Sequence, residues 1–240
     1  MLMQTPSVRP ASKPLPAIMP SMRPLSHESA RNGLSVKPNT ATGPLNMIGA
    51  PMNYARNEEI FGENDPAVYL YKIVSGAVRT YKILNDGRRQ IGAFYLPGDI
   101  FGLEFGDDHT FSAEAITPLK VLIIKRSAVN TLATRDTSVM RELLTLTSRE
   151  LHRVQEHMLL LVKSAQERVA AFLLEMSERI PAGNDVDLPM SRQDIGDYLG
   201  LTIETVSRTL TQLENSAAIA LPTSRHIVLR NRPALNRLNS

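Results

Sequence analysis

Three residues near the carboxyl end, Gly196, Gly200 and Val206, constrain this chain more than any others. Two short helices cross closely only where a small residue lies midway along the first, a residue tolerant of positive φ turns the chain, and apolar side chains fill the angle. Gly196 supplies the first requirement, Gly200 four positions later the second, and Val206 six further on the third. Ile195, Leu199, Leu210 and Leu213 complete the inner face, with Val206, Leu210 and Leu213 at i, i+4 and i+7 on one stripe. The spacing predicts a helix-turn-helix over residues 192–214. Residues 217–221 and 226–229 are β-prone pieces around a Pro-Thr-Ser-Arg turn, so a winged helix is expected.

In such a motif the second helix offers its outer face, near its amino end, to a DNA major groove. Here that face carries Glu204, Ser207 and Arg208 at i, i+3 and i+4. An arginine can bond guanine O6 and N7 together, a glutamate can accept from cytosine N4, and a serine can touch a phosphate or a base edge. Each bidentate contact contributes roughly 1–3 kcal/mol of discrimination. The plainer alternative is an exposed Glu204–Arg208 pair, which stabilises a helix by only ~0.2–0.5 kcal/mol. The pair alone is weak, and the surrounding spacing carries the DNA-binding reading. Thr202, where the second helix starts, either caps it or meets a phosphate. Arg225, in the wing, is a further candidate phosphate contact. Residues 191–240 hold six arginines against four acids.

The net charge of +3 and pI near 9.3 are mostly a property of the first 45 residues, which hold Arg9, Lys13, Arg23, Arg31 and Lys37 against Glu28. The rest has 22 basic and 23 acidic residues, net −1. With eight of the sixteen prolines, residues 1–45 are expected to be a disordered basic tail. Residues 46–130 then read as short strands separated by glycines, with runs at 68–74, 77–84 and 90–96 and a tight hairpin at Asn85-Asp86-Gly87, as in a small antiparallel barrel or jelly roll. In residues 131–163 the period becomes helical. Met140, Leu144, Thr147, Leu151, Val154, Met158 and Leu161 recur at steps of four and three, flanked by charge. This is a heptad seam suited to a two-fold dimer helix, the alternative being a helix packed only on its own domain. A second amphipathic helix opens residues 164–240, the winged helix-turn-helix region. The fold class expected is α+β.

The absence of cysteine excludes disulfides, thiolate metal sites, cysteine-ligated clusters and thiol nucleophiles; Ser191, just before the motif, is one place where a thiol would matter. No apolar run approaches the ~20 residues of a membrane span, and the proline-interrupted start does not resemble a signal peptide. A cytoplasmic address follows by default. A metal-holding cupin-like enzyme needs clustered ligands, whereas the five histidines, at 27, 109, 152, 157 and 226, are scattered. No catalytic, metal or cofactor residue is expected, and His109 reads as a surface loop residue.

The order of these parts, with Gly-Asp-Tyr-Leu-Gly-Leu-Thr-Ile-Glu-Thr-Val-Ser-Arg at 196–208, resembles the CRP/FNR superfamily of bacterial regulators over residues 50–235. The Glu204-x-x-Ser207-Arg208 pattern is similar to its FNR and FixK branch. The resemblance implies a homodimer reading a TTGAT-N4-ATCAA type of inverted repeat, with Arg208 and Glu204 on the G·C pair and Ser207 near the outer thymines. It places Arg192, Gln193, Thr202 and Thr205 at phosphates. It further implies activation through RNA polymerase, commonly at low-oxygen respiration or nitrogen-fixation genes. Two departures narrow control. The cyclic-AMP pocket of CRP needs an arginine to grip phosphate, and none lies between Arg89 and Arg126, where Asp107 and Asp108 stand instead. The oxygen-sensing cluster of FNR needs cysteines.

Overall fold

The computed structural model describes residues 49–180 and 183–239; the expected proline-rich tail lies outside the described residues. The strands come first: β1 (Ala50–Tyr54), β2 (Glu59–Phe61), β3 (Tyr69–Ser75), β4 (Val78–Ile83), β5 (Arg89–Tyr95), β6 (Ile100–Phe101), β7 (Ser112–Ala115) and β8 (Leu119–Lys125). They form two antiparallel sheets, ordered β1-β8-β3-β6 and β2-β7-β4-β5. This is a two-sheet roll. Central β8 shows why: Leu119, Val121, Ile123 and Ile124 are buried while Lys120 and Lys125 are exposed, and both its edges are paired, to β1 and β3. The predicted hairpin joins β4 and β5, with Ile83 opposite Arg89 and Gly87 at φ 83°.

His109 departs from expectation. Its ring is 2% exposed and stacks on Phe61 at 3.5 Å between centroids. Burial depresses its pKa against the opposing hydrogen bond to Glu104, so the imidazole is neutral and meets that carboxylate at 3.3 Å. Its neighbours Asp107 and Asp108 are exposed, but the apolar wall behind the loop takes the histidine ring inward.

Helices follow: α1 (Arg126–Ala133), α2 (Thr137–Leu160) and α3 (Ala165–Arg179), then β9 (Asp185–Asp187), α4 (Arg192–Leu199), α5 (Ile203–Asn215), β10 (Ile219–Ala220), β11 (His226–Leu229) and α6 (Arg232–Asn239). The wing is a three-stranded sheet, β10-β11-β9, one strand more than the sequence suggested. Asp136 caps α2 by accepting from the Ser138 amide, and the helix runs for about 36 Å.

Two stripes divide α2. Val139, Leu143, Leu146, Glu150, Arg153, His157 and Leu160 are buried or half-buried. Along this stripe Val139, Leu143 and Leu146 pack on Leu70, Ile100 and Ile124 of the roll, Glu150 accepts from the Tyr95 hydroxyl at 2.9 Å, and His157 stacks on Tyr198 of α4. The predicted seam lies one residue further on at every step. Its apolar members Met140, Leu144, Leu151, Val154, Met158 and Leu161 are between 36% and 67% exposed. The helix does pack on its own domain, yet with a different stripe, and the seam stays open.

Candidate nucleic-acid interface

Local rules build the helix pair. Ser191 caps α4 by accepting from the Asp194 amide, while the Asp194 carboxylate accepts from the Ser191 amide at 3.0 Å. This reciprocal box satisfies amides the first turn leaves free. Gly200 ends the helix in the left-handed region at φ 65°, and the Leu201 amide returns to the Gly196 carbonyl at 2.9 Å. A Cβ on Gly196 would stand 2.7 Å from the Leu201 carbonyl oxygen. Glycine is therefore needed at 196 for close approach and at 200 for backbone angle. Ile195, Leu199, Val206, Leu210 and Leu213 are all buried, and Arg168 of α3 secures the turn by donating to the Leu199 carbonyl at 2.8 Å.

Thr202 is engaged as the cap of α5, its hydroxyl accepting from the Thr205 amide at 3.2 Å. Glu204 and Arg208 are both exposed and Ser207 is half-buried beside them. Among the described residues no ion pair joins Glu204 to Arg208, so the plainer reading of that pair does not hold here. The Glu204 carboxylate instead lies at the amino end of α5. Its own backbone amide, and then the Thr202 hydroxyl, hold its pKa below the usual glutamate value. It remains an ionised acceptor. The Arg208 guanidinium carries no hydrogen bond or ion pair with described residues, which leaves its donor fork open to solvent.

The flanking positions differ in availability. Arg192 is half-buried with Nε unpartnered among described residues. Gln193 is exposed and donates to Asp197 at 2.6 Å. Arg225 folds back to the Pro189 carbonyl at 3.1 Å, fastening the wing to the segment before α4. Beside it, His226 sits between Asp187 at 2.7 Å and Asp185 at 3.1 Å. The Asp187 hydrogen bond, then the charges of both carboxylates, raise its pKa.

Sequence reasoning missed the residues that join this region to the roll. Arg79 and Arg89 reach Asp194 across 115 and 105 positions, a distance at which no local pattern can signal pairing. It also gave no sign of a cavity of about 570 Å³ between the roll and α2. Phe61, Tyr95, Phe101 and Phe111 line it, and its charged groups are Glu104 and Glu150, with no lysine or arginine. Arg126, the next arginine along the chain, donates to the carbonyls of Ala67, Glu104 and Gly106. A nucleotide phosphate would therefore meet carboxylates and no free cation, and the residues present do not fit a cyclic nucleotide.

Comparison with known proteins gives two family matches, a Crp-like helix-turn-helix domain over residues 167–238 and a cyclic nucleotide-binding domain over residues 51–136. The nitrogen fixation regulation protein FixK of Azorhizobium caulinodans is 51% identical over 199 residues, 80% of either chain. The FixK of Rhizobium meliloti is 43% identical over 199 residues, 82% of this chain and 91% of that one. Among solved structures, FixK2 from Bradyrhizobium japonicum superposes with a TM-score of 0.78 at 52% identity, covering 80% of this chain and 98% of the other.

Proposed function

This chain belongs to the CRP/FNR superfamily of transcription regulators, in its FNR/FixK branch, and from that premise we propose that it works as a cytoplasmic homodimer on a TTGAT-N4-ATCAA type of inverted repeat. It is a regulator and not an enzyme. In this reading Arg208 and Glu204 recognise the G·C pair of each half-site and Ser207 the outer thymines. Arg192, Gln193, Thr202, Thr205 and Arg225 lie along the phosphates. The α2 seam joins the two copies, whose two-fold axis matches that of the repeat. The output is activation through RNA polymerase at low-oxygen or nitrogen-fixation genes, by likeness to the FixK proteins. It needs neither a cyclic nucleotide nor an iron–sulfur cluster.

The observation that carries this is the open guanidinium of Arg208 beside an ionised Glu204 that forms no ion pair with described residues, on a helix whose crossing is fixed by Gly196. A second reading, gating by a small molecule, is favoured by the apolar cavity under α2, which suits a neutral ligand. A mobility-shift titration of the ligand-free protein on the repeat separates the two, and a parallel titration with cyclic AMP tests the nucleotide. Binding by the purified protein alone, indifferent to cyclic AMP, is expected. Arg208→Ala should lose roughly 5- to 150-fold in discrimination at its base pair, the range of one bidentate contact. Undiminished discrimination by Arg208→Ala would sink the base-contact assignment.

A further inference from the structure

Strand β5 is bonded to the DNA-binding region along its length. At its start the Arg89 guanidinium spans two carboxylates of α4, with Nη2 at 2.6 Å from Asp194 and Nε at 2.7 Å from Asp197. Beside it Arg79 of β4 donates to the same Asp194 oxygen at 3.0 Å and to Glu114 at 2.7 Å. The Gln90 amide donates to the Tyr198 carbonyl at 3.3 Å, and the Phe94 ring lies against Tyr198 and Phe172. At the far end Arg179 of α3 donates to the Phe94 carbonyl at 2.6 Å and to Asp99 at 2.8 Å.

Asp194 is only 3% exposed. A carboxylate is tolerated there because two guanidinium groups and the Ser191 cap share it, and charge-assisted bonds of this kind fix direction as well as distance. The chain links α2 to α3 only through residues 161–164, a short joint that does not by itself define an angle. Contacts from β4 and β5 to α4, the stack of His157 of α2 on Tyr198 of α4, and the α4–α5 crossing at Gly196 together define it.

We propose that Arg79 and Arg89 are positioning residues that fix the angle of the recognition helix relative to the dimer helix, and so set which half-site spacing the protein accepts. This rests on the dimer and inverted-repeat reading above. Each base pair of spacer rotates one half-site by roughly 34° and moves it by about 3.4 Å. A rigidly held pair of helices must reject a spacer one base pair too long or too short; a loosely held pair need not.

The experiment measures affinity for duplexes carrying the four-base-pair spacer and spacers one and two base pairs longer and shorter. It compares wild type with the double variant Arg79→Gln, Arg89→Gln. Wild type is expected to prefer one spacer by about tenfold or more, and the double variant to lose most of that preference while keeping discrimination at the Arg208 base pair. Arg89→Lys keeps the charge but cannot span both carboxylates. It should fall between the two, and it decides the matter alone if the double variant does not fold. A folded variant with the wild-type spacer preference overturns the proposal. So does an equal loss of spacer and base discrimination, which would mean a general loosening of the motif. A wild type that binds one half-site as tightly as two refutes the inverted-repeat reading and this proposal with it.

Discussion

Gly196→Ala sets two effects of opposite sign against each other. In a helix interior alanine is better than glycine by about 1 kcal/mol, so propensity alone makes the variant more stable. The added Cβ, however, would stand 2.7 Å from the Leu201 carbonyl oxygen, roughly 0.6 Å inside the closest ordinary carbon–oxygen approach. The clashing atom is backbone, and it belongs to the turn whose amide bonds back to Gly196. It cannot swing away like a side-chain end. Overpacking of this sort costs about 1–3 kcal/mol, and with no flexible neighbour the upper half applies, leaving a net loss of about 1–2 kcal/mol. The relief must come from α5 moving away from α4 by about half an ångström. That is comparable with the tolerance of a binding constellation, so DNA affinity should fall by about tenfold or more. Gly200→Ala is the control. At φ 65° it strains the backbone by about 1–2 kcal/mol, but its nearest atom, Arg168 Nη1, is 3.5 Å from the new carbon and α5 need not move. Urea unfolding followed by circular dichroism, with affinity measured on folded protein, separates the pair. A Gly196→Ala protein as stable as wild type with unchanged affinity would show that propensity wins and that the crossing distance does not govern binding.

Leu151→Glu places a charge on the seam where the side chain is 58% exposed, so the fold should persist while the proposed dimer dissociates, as sedimentation will report; an unchanged mass would remove α2 from the proposed interface. His109 and His157 are both neutral in the folded state, their pKa values depressed by burial. They favour folding above the ordinary imidazole value of about 6.5 and withdraw that support as pH falls below it, so denaturant midpoints should drop on acidification and drop less in His109→Phe. His226 has the opposite sign: its pKa is raised, so its contribution is full below the ordinary value and is lost as pH rises through the folded one. Ring chemical shifts should titrate above the usual midpoint, and Asp187→Asn should bring that midpoint down.

The helix-turn-helix was legible because every rule that makes it is local. A cap, a small residue, a turn glycine and an apolar stripe all fall within 23 positions. The long helix α2 was legible for the same reason, from a periodic pattern held within its own span. Two of the strands that went unnamed have side chains that say little. Ser112–Ala115 in β7 and Asp185–Asp187 in β9 have weak strand character, and they are extended because neighbours on β4 and β11 take their backbone hydrogen bonds. The burial of His109 depends on Phe61, far off in sequence, and the grip of Arg79 and Arg89 on Asp194 depends on a domain packing that no window of residues contains.

The one-residue offset between the two stripes of α2 reaches beyond architecture. Neighbouring residues on a helix point about 100° apart, so a lone protomer cannot cover its seam by a small roll without tearing Val139, His157 and Leu160 from their places. On the proposed dimer reading, molecules made in small numbers would carry an open apolar strip toward proteases and chaperones, while those made in larger numbers would shield one another. Copy number then governs survival as well as occupancy. On that reading a modest change in synthesis becomes a steeper change in the amount of competent regulator.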